Sequence, residues 1–157
     1  MTKKHTLIVS AVLITILFIG ISCAKKYPIE NFFAYIENEN IEAIQELLQD
    51  GQFVNYSDNS GKTALMYAIT ATPENESRLK HYEILQLFFQ YGANLNRVDQ
   101  NGWPALFYAM MENDEKAFLL LLENGADIHK DIFGKTLLQH ADELNKPAFV
   151  EILMLNE

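Results

Sequence analysis

The residues able to do chemistry in this chain are few and scattered. His81, His129 and His140 stand apart from one another and from any cysteine, so they lack the spacing with which a helix or a cysteine cluster holds zinc. Acidic pairs such as Glu37 and Glu39 belong to a general abundance of carboxylates, which on helical turns serves solvation. No serine sits in a nucleophile-elbow context, and no glycine-rich loop is laid out to cradle phosphate. These patterns predict a protein that is not an enzyme, with no metal, no cofactor and no small-molecule substrate. The remaining way to act is recognition by a surface, and that depends on how the chain builds one.

The elements that would build it repeat. Gly61-Lys-Thr-Ala-Leu65-Met-Tyr-Ala68 returns as Gly102-Trp-Pro-Ala-Leu106-Phe-Tyr-Ala109 and as Gly134-Lys-Thr-Leu-Leu138-Gln-His-Ala141. Between the copies, Gly92-Ala-Asn-Leu-Asn96 is echoed by Gly125-Ala-Asp-Ile-His129 and loosely by Gly51-Gln-Phe-Val-Asn55. The period from Gly92 to Gly125 is that of a solenoid of stacked units. Leu65, Leu106 and Leu138, with Ala68, Ala109 and Ala141 one helical turn on, share one helix face and let neighbouring helices approach. Thr63 and Thr136 stand where a side chain caps a helix, and Pro104 stands where a missing N–H costs nothing. The second helices carry the larger apolar groups, among them Ile44, Leu48, Ile84, Phe88, Phe118, Phe149 and Leu153. Three of these helices stop at glycine (Gly51, Gly92, Gly125), as a left-handed C-terminal cap requires.

This pattern resembles the ankyrin repeat, G-x-T-P-L-H-x-A followed by paired apolar residues and L-L-x-x-G-A-D-V-N. The resemblance covers roughly residues 27 to 157, essentially everything after an apolar leader. It implies an all-α solenoid of about four helix-turn-helix units, near 27–58, 59–99, 100–131 and 132–157, joined by short hairpin-like loops. The chain departs from the family at the histidine that opens the first helix, which here is Met66, Phe107 or Gln139, so the hydrogen bonds of that histidine must be replaced or missing. Unit one lacks the opening phrase and reads as an N-terminal cap. Unit two is longer, since Gly51 to Gly92 exceeds the span from Gly92 to Gly125. The excess is assigned to Thr72–His81 and read as a tolerated loop extension.

The resemblance further implies a protein partner on the concave side, at the loop tips and the outward positions of the first helices. Transferred onto this chain, the contact set includes Tyr67, Trp103, Tyr108, Met111, Ile132, Phe133 and His140, an aromatic stripe of the kind that anchors interfaces. Unit four is one residue shorter in its loop, so Phe133 has the alternative of folding inward.

The segment 1–23 reads as a signal or anchor, with 24–157 forming the repeat domain. Lys3 and Lys4 precede Leu7–Ile21, a run without a charge, and the only cysteine, Cys23, closes it. Such a run is short for spanning a hydrocarbon layer of about 30 Å. With Ser22 before the cysteine, it resembles a bacterial lipoprotein signal, which implies lipidation at Cys23 and a membrane-anchored, extracytoplasmic location. Gly20 and Ile21 depart from the usual residues of that signal, which leaves an uncleaved anchor as the alternative.

The formal charge of −9 argues against nucleic acid. All 21 acidic residues lie after Cys23, and Tyr27 to Gly61 holds seven of them with no lysine or arginine, so a partner with a basic surface would be steered to this end. The expected function is a membrane-tethered scaffold that binds a protein through its concave face. The alternatives are a structural envelope lipoprotein and an inhibitor or immunity-type protein blocking one enzyme.

Overall fold

The computed structural model describes residues 27–51, 53–71 and 78–156. The leader with Cys23, and residues 72–77 of the unit-two extension, lie outside these. A 3-10 turn (Ile29–Asn31) leads into α1 (Phe32–Glu37) and α2 (Ile41–Gln49), followed by α3 (Ala64–Thr70) and α4 (Arg78–Gln90). The next pairs are α5 (Ala105–Met111) with α6 (Glu115–Glu123), and α7 (Leu137–Glu143) with α8 (Pro147–Asn156). The described residues are all-α and contain no strand, only the isolated antiparallel bridges Ser57–Thr63, Val98–Pro104 and Ile132–Lys135. No described helix is long and apolar enough to cross a membrane.

Each first helix packs on its own second helix. Across units, α1, α3 and α5 stand side by side while α2 packs on α4. Leu65, Leu106, Ala68, Ala109 and Ala141 are buried at these contacts. Leu138 is only half-buried and its neighbour Leu137 takes the buried place. Rings link the helices further: Phe32 of α1 meets Phe88 of α4 at 6.3 Å between centroids, and Phe118 of α6 meets Phe149 of α8 at 5.1 Å. The core is thus one continuous apolar layer of side chains that no single unit could form alone.

Local chemistry sets the helix starts. Asn40, Thr63, Asp114 and Thr136 each accept the N–H of the third residue beyond, which satisfies one otherwise orphaned donor. The missing family histidine is replaced differently in each unit. The Met66 sulfur receives the Thr63 N–H at 3.3 Å, and Gln139 Oε1 receives the Thr136 N–H at 2.8 Å. Pro104 has no N–H, so Phe107 has nothing to accept. Pro104 and Trp103 stay outside the helix: Pro104 is extended (φ −82°, ψ 171°) and bridges to Val98, so α5 begins at Ala105.

The extension also differs from expectation. Residues 78–81 are the first turn of α4, the longest helix described, so His81 is not a loop residue. Nor is it isolated. Its Nε2 lies 3.2 Å from Asp114 Oδ2 of the next unit, off the line a hydrogen bond needs. Asp114 also caps α6 and accepts the Tyr82 hydroxyl at 3.1 Å, so one carboxylate ties α4 to the next unit. Burial pulls its pKa upward, but His81, the Ala117 N–H and the Tyr82 hydroxyl outweigh this and hold the carboxyl below the usual aspartate range. A depressed folded pKa gives stability that is present above the unfolded value of about 4 and fades as pH falls through the folded one. Asp114→Ala is expected to lower unfolding stability by about 2–3 kcal/mol at neutral pH in urea melts. Asp114→Asn keeps the cap and flattens the acid limb. A loss under about 0.5 kcal/mol on Asp114→Ala would contradict this linkage.

Candidate functional site

The loops that precede α3 and α5 are closed by an aspartate three residues before the glycine. Asp58 Oδ1 accepts the N–H groups of Ser60 (2.8 Å) and Lys62 (3.0 Å) and the Ser60 hydroxyl (2.7 Å). Asp99 Oδ1 accepts those of Asn101 (2.9 Å) and Trp103 (2.8 Å). Such side-chain-to-backbone bonds are what lets aspartate organise a turn. The second oxygen of each carboxylate reaches the helix that follows. Asp58 Oδ2 accepts the Tyr67 hydroxyl at 2.8 Å, and Asp99 Oδ2 accepts that of Tyr108 at 3.0 Å.

Successive loops are then bound to each other. The Gln100 N–H donates to the Ser60 carbonyl at 2.8 Å, and a Cβ on Gly61 (φ 78°) would come within 3.3 Å of the Asp99 Cα. Only glycine allows both that left-handed backbone and that approach. A second row of bonds runs beside it. Asn55 Oδ1 accepts the Asn94 N–H at 2.8 Å, and Asn96 Oδ1 accepts the Asp127 N–H at 2.9 Å. Arg97 and Lys130 donate to the carbonyls of Asn55 and Asn96, each at 2.7 Å.

On the face built by these loops and the first helices, the aromatic residues form a chain of contacts. Phe33 lies 4.2 Å from Tyr67 between ring centroids, Trp103 lies 5.9 Å from Tyr108 and 5.1 Å from Phe107, and Phe107 lies 5.4 Å from His140. Lys62 spans the gap between Tyr67 and Tyr108, its Nζ 4.4 and 5.1 Å from their ring centroids. Of the residues expected to contact a partner, the structure therefore brings together Tyr67, Trp103, Tyr108 and His140, all half-buried with one edge open. Met111 is 42% exposed at the end of α5.

One expectation for unit four changes: Ile132, expected outward, is buried at 1%, whereas Phe133 is 72% exposed, in the outward place expected of it and not folded inward. The shortened loop gives the physical reason. Ile132 takes the bridge position opposite Lys135, leaving Phe133 and Gly134, with φ of 55° and 78°, as a two-residue turn. A bulky side chain held at positive φ and in water costs free energy and gains no packing. His140 turns its Nε2–H to the Ile132 carbonyl at 2.9 Å, because Asp131 instead accepts the Gly134 N–H.

Sequence reasoning does not single out Asp58, Asp99, Phe33 or Phe107. A signal for the aspartates is present, since Asp58, Asp99 and Asp131 each stand three residues before the repeated glycine. His129 is exposed, and no group of three or more metal-ligating side chains occurs among the described residues. A separate depression on the outer side of α8, lined by Pro147, Val150, Met154 and Leu155, is remote from the aromatic chain.

The carboxylates shape the tyrosines. Burial and then the bond to Asp99 hold the Tyr108 hydroxyl well above the usual tyrosine range, and Tyr67 is raised by its bond to Asp58 and by burial. A raised folded pKa means that this stabilisation is complete below the unfolded tyrosine value of about 10 and is lost as pH rises through the folded one. In a spectrophotometric titration Tyr108 should ionise after the exposed tyrosines, and Asp99→Asn should draw it back towards them. Seven tyrosines titrating together, with no response to Asp99→Asn, would contradict the assignment.

The sequence profile described as ankyrin repeats (3 copies) matches residues 76–157, from α4 to the end. The match leaves out α1, whose unit lacks the repeated opening phrase, and α2 and α3, which precede the extension. No curated protein sequence matches the chain. Ankyrin repeats are generic protein–protein interaction modules and are typically non-enzymatic. A profile match over more than half the chain, three repeated phrases and an all-α stack of helix pairs together establish that this chain belongs to the ankyrin-repeat family.

Proposed function

We propose that the protein is a membrane-tethered, extracytoplasmic scaffold that holds a protein partner on its concave face. The observation that carries the binding half is the aromatic chain from Phe33 through Tyr67, Tyr108, Trp103 and Phe107 to His140, flanked by exposed Met111 and tipped by exposed Phe133. Rings already fixed by their neighbours offer contact area at little cost in conformational entropy. The tyrosine hydroxyls are occupied by Asp58 and Asp99, so Tyr67 and Tyr108 meet a partner with ring faces and edges while Trp103 and Met111 supply the free apolar area. Phe133 adds a second, isolated anchor, since a strained exposed aromatic is kept where it contributes to a contact.

The tether rests on the leader: Leu7–Ile21 is uncharged, flanked by lysines, and ends at Cys23, the attachment point for lipid. In that position the repeat domain meets an oxidising compartment with no cysteine to form a disulfide, so its core and hydrogen bonds must hold it.

One experiment addresses both halves. A photo-crosslinking residue placed at Met111 in the full-length chain should give one discrete adduct that sediments with membranes and disappears with Trp103→Ala. Cys23→Ala should release chain and adduct to the soluble fraction. Equal adducts from Leu119, on the second-helix side, would contradict the concave face, and sedimentation unchanged by Cys23→Ala would contradict lipid tethering at that residue.

A further inference from the structure

Lys62 is held in an unusual setting for a surface lysine. Its ammonium donates to the Thr70 hydroxyl at 2.9 Å and otherwise lies against the rings of Tyr67 and Tyr108. Both phenols donate to carboxylates, which leaves the rings richer in electron density and the face of each more attractive to a cation. Asp58, Glu112, Asp99 and Glu37 all act on this one ammonium. Asp58 and Asp99 are engaged in closing loops, whereas Glu37 and Glu112 are exposed and form no ion pair with a described residue. The site is therefore an aromatic slot that holds one ammonium between two rings, within the field of nearby carboxylates.

Unit four shows what a lysine does at the same position without the slot. Lys135 also follows the repeated glycine, but His140 stands where the tyrosines stand, and Lys135 turns to Glu143 at 2.6 Å. Among the described residues Lys62 has no carboxylate partner of that kind, only a hydroxyl and two ring faces. Burial accordingly pulls its pKa down against the four carboxylates. A long, flexible chain held by neutral contacts is one that an incoming cation can replace.

We propose that the Tyr67–Tyr108 slot is a cation subsite of the concave face: Lys62 fills it in the free chain, and a lysine ammonium of the partner protein displaces it on binding. The inference rests on the concave-face reading and gives it a chemistry, namely a partner that presents a basic segment to units two and three. Lys62 then acts as an internal competitor, selecting partners whose cation is better placed than its own.

The probe is penta-lysine, titrated into the full-length chain in zwitterionic micelles and followed by NMR. Lys62→Ala should bind it at least about tenfold more tightly than wild type, with shifts centred on Tyr67 and Tyr108. Lys135→Ala removes the same charge from the same face and should change affinity less than about twofold. Adding Tyr67→Leu and Tyr108→Leu to Lys62→Ala should abolish the gain while circular dichroism stays helical; Phe at both positions should keep most of it and guards against loss through misfolding. Equal gains from Lys62→Ala and Lys135→Ala would overturn the slot as mere net charge. Shifts on the concave face unmoved by Lys62→Ala would overturn this inference alone, whereas shifts confined to α4, α6 and α8 would overturn the concave face itself.

Discussion

The face built by the loops and first helices depends on an aspartate carboxylate used twice. In units two and three, one oxygen gathers the N–H groups of the loop and the other fixes a tyrosine hydroxyl on the following helix. The loop is thereby locked to its helix, and because neighbouring loops are joined through Gln100 and Ser60, the spacing of the units is locked too. Each bond is worth only about 1 kcal/mol net, but the bonds share atoms, so the loss of one oxygen releases several donors at once. Unit four lacks this arrangement: Asp131 accepts the Gly134 N–H, His140 stands at the tyrosine position and bonds the Ile132 carbonyl, and the shortened loop turns Phe133 into solvent.

Two polar ladders and one apolar core divide the work of holding the stack. The core is directionless and tolerates the swaps seen between copies, such as Ala for Leu at the start of α5 and α7. The asparagine ladder through Asn55 and Asn96 is specific in register, since each side-chain oxygen meets the N–H of the next unit. Unit four leaves more of its apolar side chains open. Leu138 is half-buried where Leu65 and Leu106 are buried, and Leu155 at the end of α8 is 79% exposed. Across units two and three, His81, Tyr82 and Asp114 add a third link on the side of α4, independent of the loops.

Much of this is legible in the chain because packing leaves a periodic trace. The paired Leu and Ala, the capping threonines and the cap glycines all answer to local geometry, and local geometry recurs from unit to unit. What resists reading is what depends on contacts between distant positions or on a one-residue change. The shortened loop exchanges the roles of Ile132 and Phe133, which no composition pattern distinguishes. His81 reads as isolated because its partner, Asp114, belongs to the next unit. The tyrosine hydroxyls read as free because the aspartates that hold them stand outside the helix, in the loop before it. Of the expected contact residues, Met111 and Phe133 present exposed side chains, whereas Tyr67, Tyr108 and His140 combine presentation with internal bonds. A surface built this way is preorganised, since its rings and hydroxyls are already fixed by the fold.

The Asp99 carboxylate and the Tyr108 hydroxyl act as one unit in shaping this face. A double-mutant cycle with Asp99→Ala and Tyr108→Phe, read by urea unfolding of the full-length chain, measures it directly. A coupling of about 1–2 kcal/mol between the two positions is expected. Additivity to within about 0.3 kcal/mol would contradict it and reduce the pair to neighbours without a shared role.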